Sequence, residues 1–153
     1  MISPLSPAPD FTLPQDGGDP VTLSALRPAP VVLFFYPRDN TSGCTKEAQA
    51  FTALKSEFAA LGAQVFGISK DTLASHEKFR SKQQLDIPLL SDADGTACED
   101  FGVWQEKSMY GKRFMGIVRS TFVIDGTGNI CREWRKVKVA GHAEEVLDAV
   151  KQL

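Results

Sequence analysis

The sequence contains no Cys-x-x-Cys pair: its three cysteines stand at 44, 98 and 131, and the residues three before and three after Cys44 are Thr41 and Glu47. That argues against a dithiol–disulfide oxidoreductase, which generally needs two such paired sulfurs. An odd number of cysteines at spacings of 54 and 33 residues matches neither a disulfide framework nor a zinc site, so reduced thiols in a reducing, cytoplasmic compartment are expected. Histidine is scarce too. His76 and His142 have no ligand-spaced Cys, Asp or Glu around them, and surface or capping roles, not metal binding, are expected of both. No basic, apolar start and no later apolar run of spanning length is present, so neither a signal peptide nor a membrane anchor is expected. Charge of one sign is also lacking: 17 Lys and Arg against 19 Asp and Glu give a net −2, which provides no field to gather nucleic acid or an anionic membrane. Lys107, Lys112 and Arg113, and then Arg132, Arg135, Lys136 and Lys138, read as solvated surface charge. Repeats, low-complexity tracts and linkers are absent.

What is present suits one compact domain over residues 1–153, with 42% hydrophobic and 24% charged residues. Pro4, Pro7, Pro9, Pro14, Pro20, Pro28 and Pro30 make the start a turn-rich entry. Phe11 to Leu13 and Val21 to Leu23 flank Asp16-Gly17-Gly18-Asp19, which predicts a hairpin at the edge of the main sheet. Val31 to Tyr36 is an apolar run of the kind found in strands covered on both faces. From Cys44 the period changes, with Ala48, Phe51, Leu54, Phe58 and Leu61 at intervals of three and four before Gly62; one long helix beginning at or just before Cys44 is predicted. Ala63 to Ser69 predicts a strand, Thr72 caps a helix to about Gln84, and Leu89-Leu90 enters a short strand. A short helix through Ala97, Cys98 and Phe101 precedes a loop, then a hairpin of Ser120–Asp125 and Ile130–Trp134, then a helix marked by Val146, Leu147 and Val150. This order predicts an α/β, thioredoxin-like fold: a central mixed sheet flanked by helices, with an N-terminal β-hairpin.

The segment Tyr36-Pro37-Arg38-Asp39-Asn40-Thr41-Ser42-Gly43-Cys44-Thr45-Lys46-Glu47 runs from buried strand through polar loop into helix. Cys44 then sits in the first helical turn, where unpaired N–H groups and the positive end of the helix dipole favour negative charge on sulfur. A thiolate attacking a peroxide pushes charge onto the departing oxygen, which needs donors already in place. The Thr41 hydroxyl and the N–H groups of Gly43 and Cys44 can converge there, Pro37 can wall the pocket, and Gly43 permits close backbone approach. An arginine would complete the set, and Arg119, directly before the buried run Ser120-Thr121-Phe122-Val123, is the candidate. Phe35 and Tyr36 are expected at the rear wall. Asp39 reads as a loop cap and not a base.

The pattern Pro37-x-x-x-Thr41-x-x-Cys44 is similar to the Pro-x-x-x-Thr/Ser-x-x-Cys signature of the peroxiredoxins, and Arg119 matches the arginine that completes their site. Ala8-Pro9-Asp10-Phe11-Thr12-Leu13, Ser91-Asp92, Phe101-Gly102-Val103-Trp104 and Ser120 to Asp125 extend the likeness over nearly the whole chain, which most resembles the bacterioferritin comigratory protein subgroup, or peroxiredoxin Q. The resemblance implies a thiol-dependent peroxidase acting on hydrogen peroxide and alkyl hydroperoxides through a Cys44 sulfenic acid, serving antioxidant defence. It also implies no metal or organic cofactor, thioredoxin or glutaredoxin with glutathione as reductant, and a monomer. One departure stands out. Many members of the subgroup carry a resolving cysteine five residues after the peroxidatic one, where this chain has Gln49, and others carry it in the next helix, where Thr72 to Leu85 has none. A one-cysteine mechanism is therefore expected, in which an external thiol attacks the sulfenic acid.

Cys98, beside Ala97 and Phe101, reads as a packing residue with a resolving role as the alternative, and Cys131, next to Ile130, as structural. Trp104 and the loop through Tyr110 and Phe114 either border the pocket entrance or pack as ordinary aromatics. A non-enzymatic role, binding unfolded clients or relaying an oxidant signal, is the competing reading.

Overall fold

The computed structural model describes residues 6–153; Pro4 and the opening residues on which the absence of a signal peptide partly rests lie outside the described residues. The elements are β1 (Ser6–Pro7), β2 (Thr12–Gln15), β3 (Gly18–Thr22), β4 (Val31–Phe35), α1 (Ser42–Ala53), α2 (Lys55–Ala60), β5 (Gln64–Ser69), α3 (Leu73–Gln83), β6 (Leu89–Ser91), α4 (Ala97–Asp100), β7 (Trp104–Met109), β8 (Lys112–Ile117), β9 (Ser120–Ile124), β10 (Asn129–Arg135) and α5 (His142–Lys151). An eight-stranded sheet runs β1-β10-β9-β4-β5-β6-β2-β3, and β7-β8 pair separately.

β4 is the central strand. It pairs parallel with β5 and antiparallel with β9, all five of its residues are buried, and that two-sided burial is why its sequence is apolar without alternation. Side chains still alternate between faces. Val32, Phe34 and Tyr36 join the core formed with Phe51 of α1, Phe58 of α2, Phe79 of α3 and Val146 of α5. Val31, Leu33 and Phe35 join a second core with Leu13, Leu23, Cys98 and Phe101. Helix therefore covers both faces, but unequally: the four longer helices share one, while α4, a 3-10 turn at Leu23–Leu26 and the N-terminal hairpin cover the other. The expected place of Phe35 beside Tyr36 at the rear of the site is corrected by the pleat, which turns Phe35 to the opposite face.

Two local expectations also change. The helix after Cys44 breaks at Leu54 (φ −100°, ψ 4°) into α1 and α2. Phe51 and Phe58, one on each side of the break, remain in contact at 6.0 Å between ring centroids, so the apolar period runs across an interruption it does not reveal. The segment after α4, predicted as a loop, is the β7–β8 hairpin. Its turn residues Tyr110 and Gly111 both have positive φ (52° and 78°), as a tight primed turn requires, but both of its strands are mostly exposed and so lack alternating hydrophobicity. Thr72 caps α3 as predicted, its Oγ1 accepting the Ser75 N–H at 3.2 Å. The N-terminal hairpin lies at the sheet edge.

Candidate active site

At the C-terminal end of β4 the chain leaves the sheet at Tyr36 and turns back through residues 37–41 into α1. Thr41 is the N-cap, with extended backbone (φ −85°, ψ 154°), and the first bond of the helix runs from the Thr45 N–H to the Thr41 carbonyl at 2.9 Å. The N–H groups of Gly43 and Cys44 precede that bond and have no acceptor within the helix. They cluster at the positive end of the helix dipole, where Cys44 is 1% exposed and packs with Tyr36 and Ala48.

Arg119 reaches this point because of strand register. Ser120 of β9 lies opposite Phe35 of β4, which brings the preceding residue to the same sheet end as the Cys44 loop. Its Nη2 donates to Cys44 Sγ at 3.3 Å and its Nη1 to Glu47 Oε1 at 2.8 Å. Glu47, one turn beyond Cys44, is 1% exposed, and its Oε2 has no hydrogen-bond partner among the described residues. Burial raises the Glu47 carboxyl to about 7 against the opposing charge and hydrogen bond of Arg119. Burial acts to lower the Arg119 pKa, but the charges of Glu47 and Cys44 outweigh it and the guanidinium is held more firmly protonated. Sequence reasoning missed Glu47. Its one legible signal was spacing: three residues after Cys44 on a helix is the same face.

Gly43 lies under the guanidinium, where an added Cβ would stand 3.1 Å from Arg119 Nη2. Gly43→Ala is therefore expected to displace Arg119 by a few tenths of an ångström. Peroxide reactivity should fall about tenfold or more, while thermal stability holds or rises, since alanine is the better helix former by ~0.5–1 kcal/mol. Stopped-flow oxidation beside thermal unfolding separates the two effects; an unchanged rate would show that the close approach has no role. The Thr41 hydroxyl donates to the Arg38 carbonyl at 3.0 Å, and Pro37 is half-buried. Lys107, read from sequence as solvated charge, is half-buried on β7. Burial and Arg119 depress its pKa while the Cys44 sulfur opposes them, so the unforeseen hairpin turns a second cation toward the site.

The other two thiols are placed differently: Cys98 lies across the sheet, whereas Cys131 belongs to the same core as Cys44. Cys98 is fully buried in the core on the opposite side of the sheet from Cys44; burial and the hydrogen bond and charge of Asp92 push its thiol well above the ordinary range, which disfavours a reactive thiolate. Cys131 Sγ donates to the Val123 carbonyl at 3.3 Å, and burial raises its pKa too. Trp104 packs under Lys70 Nζ, 5.0 Å from the ring centroid, while Tyr110 at the hairpin tip is 97% exposed.

Surface roles for the histidines are contradicted: both are buried. His142 Nε2 lies 2.8 Å from Thr121 Oγ1, and the ring meets Phe51 and Trp134 edge-on. Burial, aided by Arg119, lowers its pKa. His76 pairs with Asp39, 2.8 Å from Nδ1 to Oδ2. Asp39, Asp71 and His76 place ligand-type atoms within 4.8 Å of one another, but these atoms are engaged in hydrogen bonds, with Asp71 Oδ2 accepting from the Asp39 N–H and from Ser69 Oγ. Among the described residues no helix is long and apolar enough to cross a membrane.

Comparison with known proteins agrees with this geometry. Residues 4–132 match the model of the AhpC/TSA family. A putative peroxiredoxin bcp of Coxiella burnetii is 48% identical over 140 residues, covering 92% of this chain and 93% of its own length. A peroxiredoxin Bcp of Xanthomonas campestris pv. campestris is 48% identical over 147 residues, covering 95% and 92%. A solved structure of the Xanthomonas campestris bacterioferritin comigratory protein, studied for alkyl peroxide reduction, superimposes with a TM-score of 0.88 at 46% identity over 93% of this chain and 90% of that one. Likeness of this extent, carried through the central sheet and the segment bearing Cys44, places the chain in the AhpC/TSA family as a peroxiredoxin of the Bcp type.

Proposed function

We propose that this thiol-dependent peroxidase works through Cys44, with hydrogen peroxide and alkyl hydroperoxides as its substrates. The sulfur attacks one peroxide oxygen; the S–O bond forms as the O–O bond breaks, the alkoxide or hydroxide leaves and takes a proton from solvent, and Cys44 becomes a sulfenic acid. The observation that carries this is the Arg119 guanidinium, 3.3 Å from Sγ and anchored at its other nitrogen by Glu47. In that position it stabilises both the attacking thiolate and the oxygen to which charge moves. Gly43 and Cys44 N–H groups supply further donors. Thr41 exchanges its bond to the Arg38 carbonyl for one to the peroxide, and Pro37 shields the pocket. An external thiol then attacks the sulfenic sulfur, releasing water and leaving a mixed disulfide that a second thiol reduces; thioredoxin, or glutaredoxin with glutathione, fits this role. The chain acts as one domain over residues 1–153, as a monomer, in the cytoplasm.

The test is consumption of hydrogen peroxide and of an alkyl hydroperoxide by reduced protein with excess dithiothreitol, followed by a ferrous-dye assay, beside insulin reduction. Peroxide turnover without insulin reduction is the expected outcome. The reverse pattern would sink the reading in favour of a disulfide reductase.

A further inference from the structure

The loop that delivers Cys44 is tied to the fold through one buried side chain, that of Asp39. Its Oδ1 accepts from the Tyr36 hydroxyl at 2.7 Å, and its Oδ2 accepts from Ser75 Oγ at 2.8 Å and lies 2.8 Å from His76 Nδ1. Its backbone N–H donates to Asp71 Oδ2 at 2.8 Å. His76 stands on the first turn of α3 with both ring nitrogens against oxygens, Nδ1 on Asp39 and Nε2 on the Leu90 carbonyl of β6 at 2.9 Å. The Tyr36 hydroxyl also lies 3.4 Å from Nδ1, but it donates to Asp39 Oδ1 at 2.7 Å, so either neutral tautomer would set a ring lone pair against the Asp39 or the Leu90 oxygen. Only a doubly protonated ring donates to both.

We propose that His76 is a positioning residue for the reaction: an imidazolium, ion-paired with Asp39, that holds the 37–41 loop against α3 and β6 and so fixes the first turn of α1 that carries Cys44. Three elements meet in this contact. The residue that follows β4 is Tyr36, α3 contributes Ser75 and His76, and β6 contributes the Leu90 carbonyl, while Asp39 lies five residues before Cys44 in the connection that aims it. Losing the imidazolium proton therefore loosens the loop at the end nearest the sulfur, without touching the sulfur.

The groups facing His76 favour its charge. Burial acts to lower its pKa, but the hydrogen bond and charge of Asp39, the Leu90 carbonyl and the charge of Asp71 outweigh it, and the pKa is raised. Tyr36, whose own ionisation is pushed far up by burial and Asp39, stays neutral, so among the described residues no group packed against the ring competes for the charge. A raised histidine pKa gives stability that is complete below its unfolded value of about 6.5 and is lost as pH rises through the folded value. The latch is thus closed in mildly acidic solution and opens as pH rises through the folded value.

This inference rests on Cys44 being the peroxidatic sulfur, so its test includes readouts that need no peroxide. Nitrogen-15 shifts of the His76 ring should show both nitrogens protonated at pH 6. Amide-exchange protection of residues 45–49 should fall about tenfold as His76 titrates, and by a similar factor at all pH in His76→Phe, with α5 protection unchanged. The rate of sulfenic acid formation per thiolate should fall about tenfold or more in His76→Phe. His76→Asn, which keeps a donor for Asp39 but cannot titrate, should recover most of that loss and show no alkaline limb. A singly protonated ring at pH 6, equal loss of protection in α5, or an alkaline limb persisting in His76→Asn would each overturn the proposal. Should His76→Phe fail to fold, the ring shifts and the His76→Asn profile still decide it. Intact exchange behaviour with no peroxide reactivity at Cys44 would leave the latch standing and remove the peroxidase reading instead.

Discussion

Replacing Arg119 by methionine should slow oxidation of Cys44 by hydrogen peroxide by about 10²–10³-fold, the scale on which one preplaced donor to a developing oxyanion acts. The same substitution should destabilise the fold, because it strips from Glu47, a carboxyl 1% exposed, its single hydrogen-bonded partner among the described residues, where Oε2 is already without one. Breaking a buried pair from one side costs about 3 kcal/mol or more. The two losses separate by a second substitution. Glu47→Gln in the Arg119→Met background removes the stranded charge and should restore most of the stability while leaving the rate low. The pH dependence has a definite sign. A carboxyl raised from 4.5 to about 7 in the folded chain binds its proton more tightly folded than unfolded, so stability erodes as pH climbs from the unfolded value to the folded one and levels off above it. Without Arg119 opposing the shift, the erosion in Arg119→Met should start at the same pH but continue to higher pH and grow deeper, and urea unfolding at acidic and alkaline pH would reveal it as a gap between the single and double variants that widens with pH. A double variant that regained the rate would mean that Arg119 acts only by satisfying Glu47.

Why Arg119 could be read from the sequence and Glu47 could not is a matter of which physical signal each one leaves. Arg119 stands at the foot of an apolar strand, and its place in the family pattern pointed to the sulfur 75 residues away. Glu47 is an ordinary polar residue on an amphipathic helix until the sheet brings Arg119 to it. The same holds for Asp39 and His76, 37 residues apart, each unremarkable alone and each buried only because loop and helix meet. The strand at Val31–Phe35, the Thr72 cap and the start of α1 were legible because burial on two faces, an N-cap and a change of period are local. The β7–β8 hairpin was not. With Met109, Tyr110, Phe114 and Met115 exposed, its strands alternate nothing, and Tyr110-Gly111 is not among the dipeptides that mark a primed turn.

Cys44→Ser should abolish peroxide reduction, and one equivalent of hydrogen peroxide should leave the reduced wild-type chain heavier by one oxygen, on Cys44. The geometry offers that sulfenic acid no internal partner. Cys98 lies in the core across the sheet, and its thiol is held protonated by burial and by Asp92; Cys131 is buried with its Sγ on the Val123 carbonyl. Cys98 would have to leave its core to reach Cys44, breaking the α4 turn whose N–H groups Asp92 caps, and Cys131, in the same core as Cys44, would have to give up its bond to β9. Intact mass and peptide mapping of the wild type, Cys98→Ser and Cys131→Ser after the same oxidant should therefore agree, each with a single added oxygen at residue 44. Loss of two hydrogens in the wild type, abolished in one of the two variants, would identify that cysteine as a resolving thiol. It would also require a local unfolding that the packed state opposes, and protection of α4 or β10 amides would then drop as the disulfide forms. An unmodified Cys44 beside another oxidised residue would leave the family assignment in place and remove Cys44 from the chemistry. With the one-oxygen product, turnover depends wholly on an outside thiol reaching the end of β4, and the rate at saturating peroxide should rise in proportion to the concentration of that thiol.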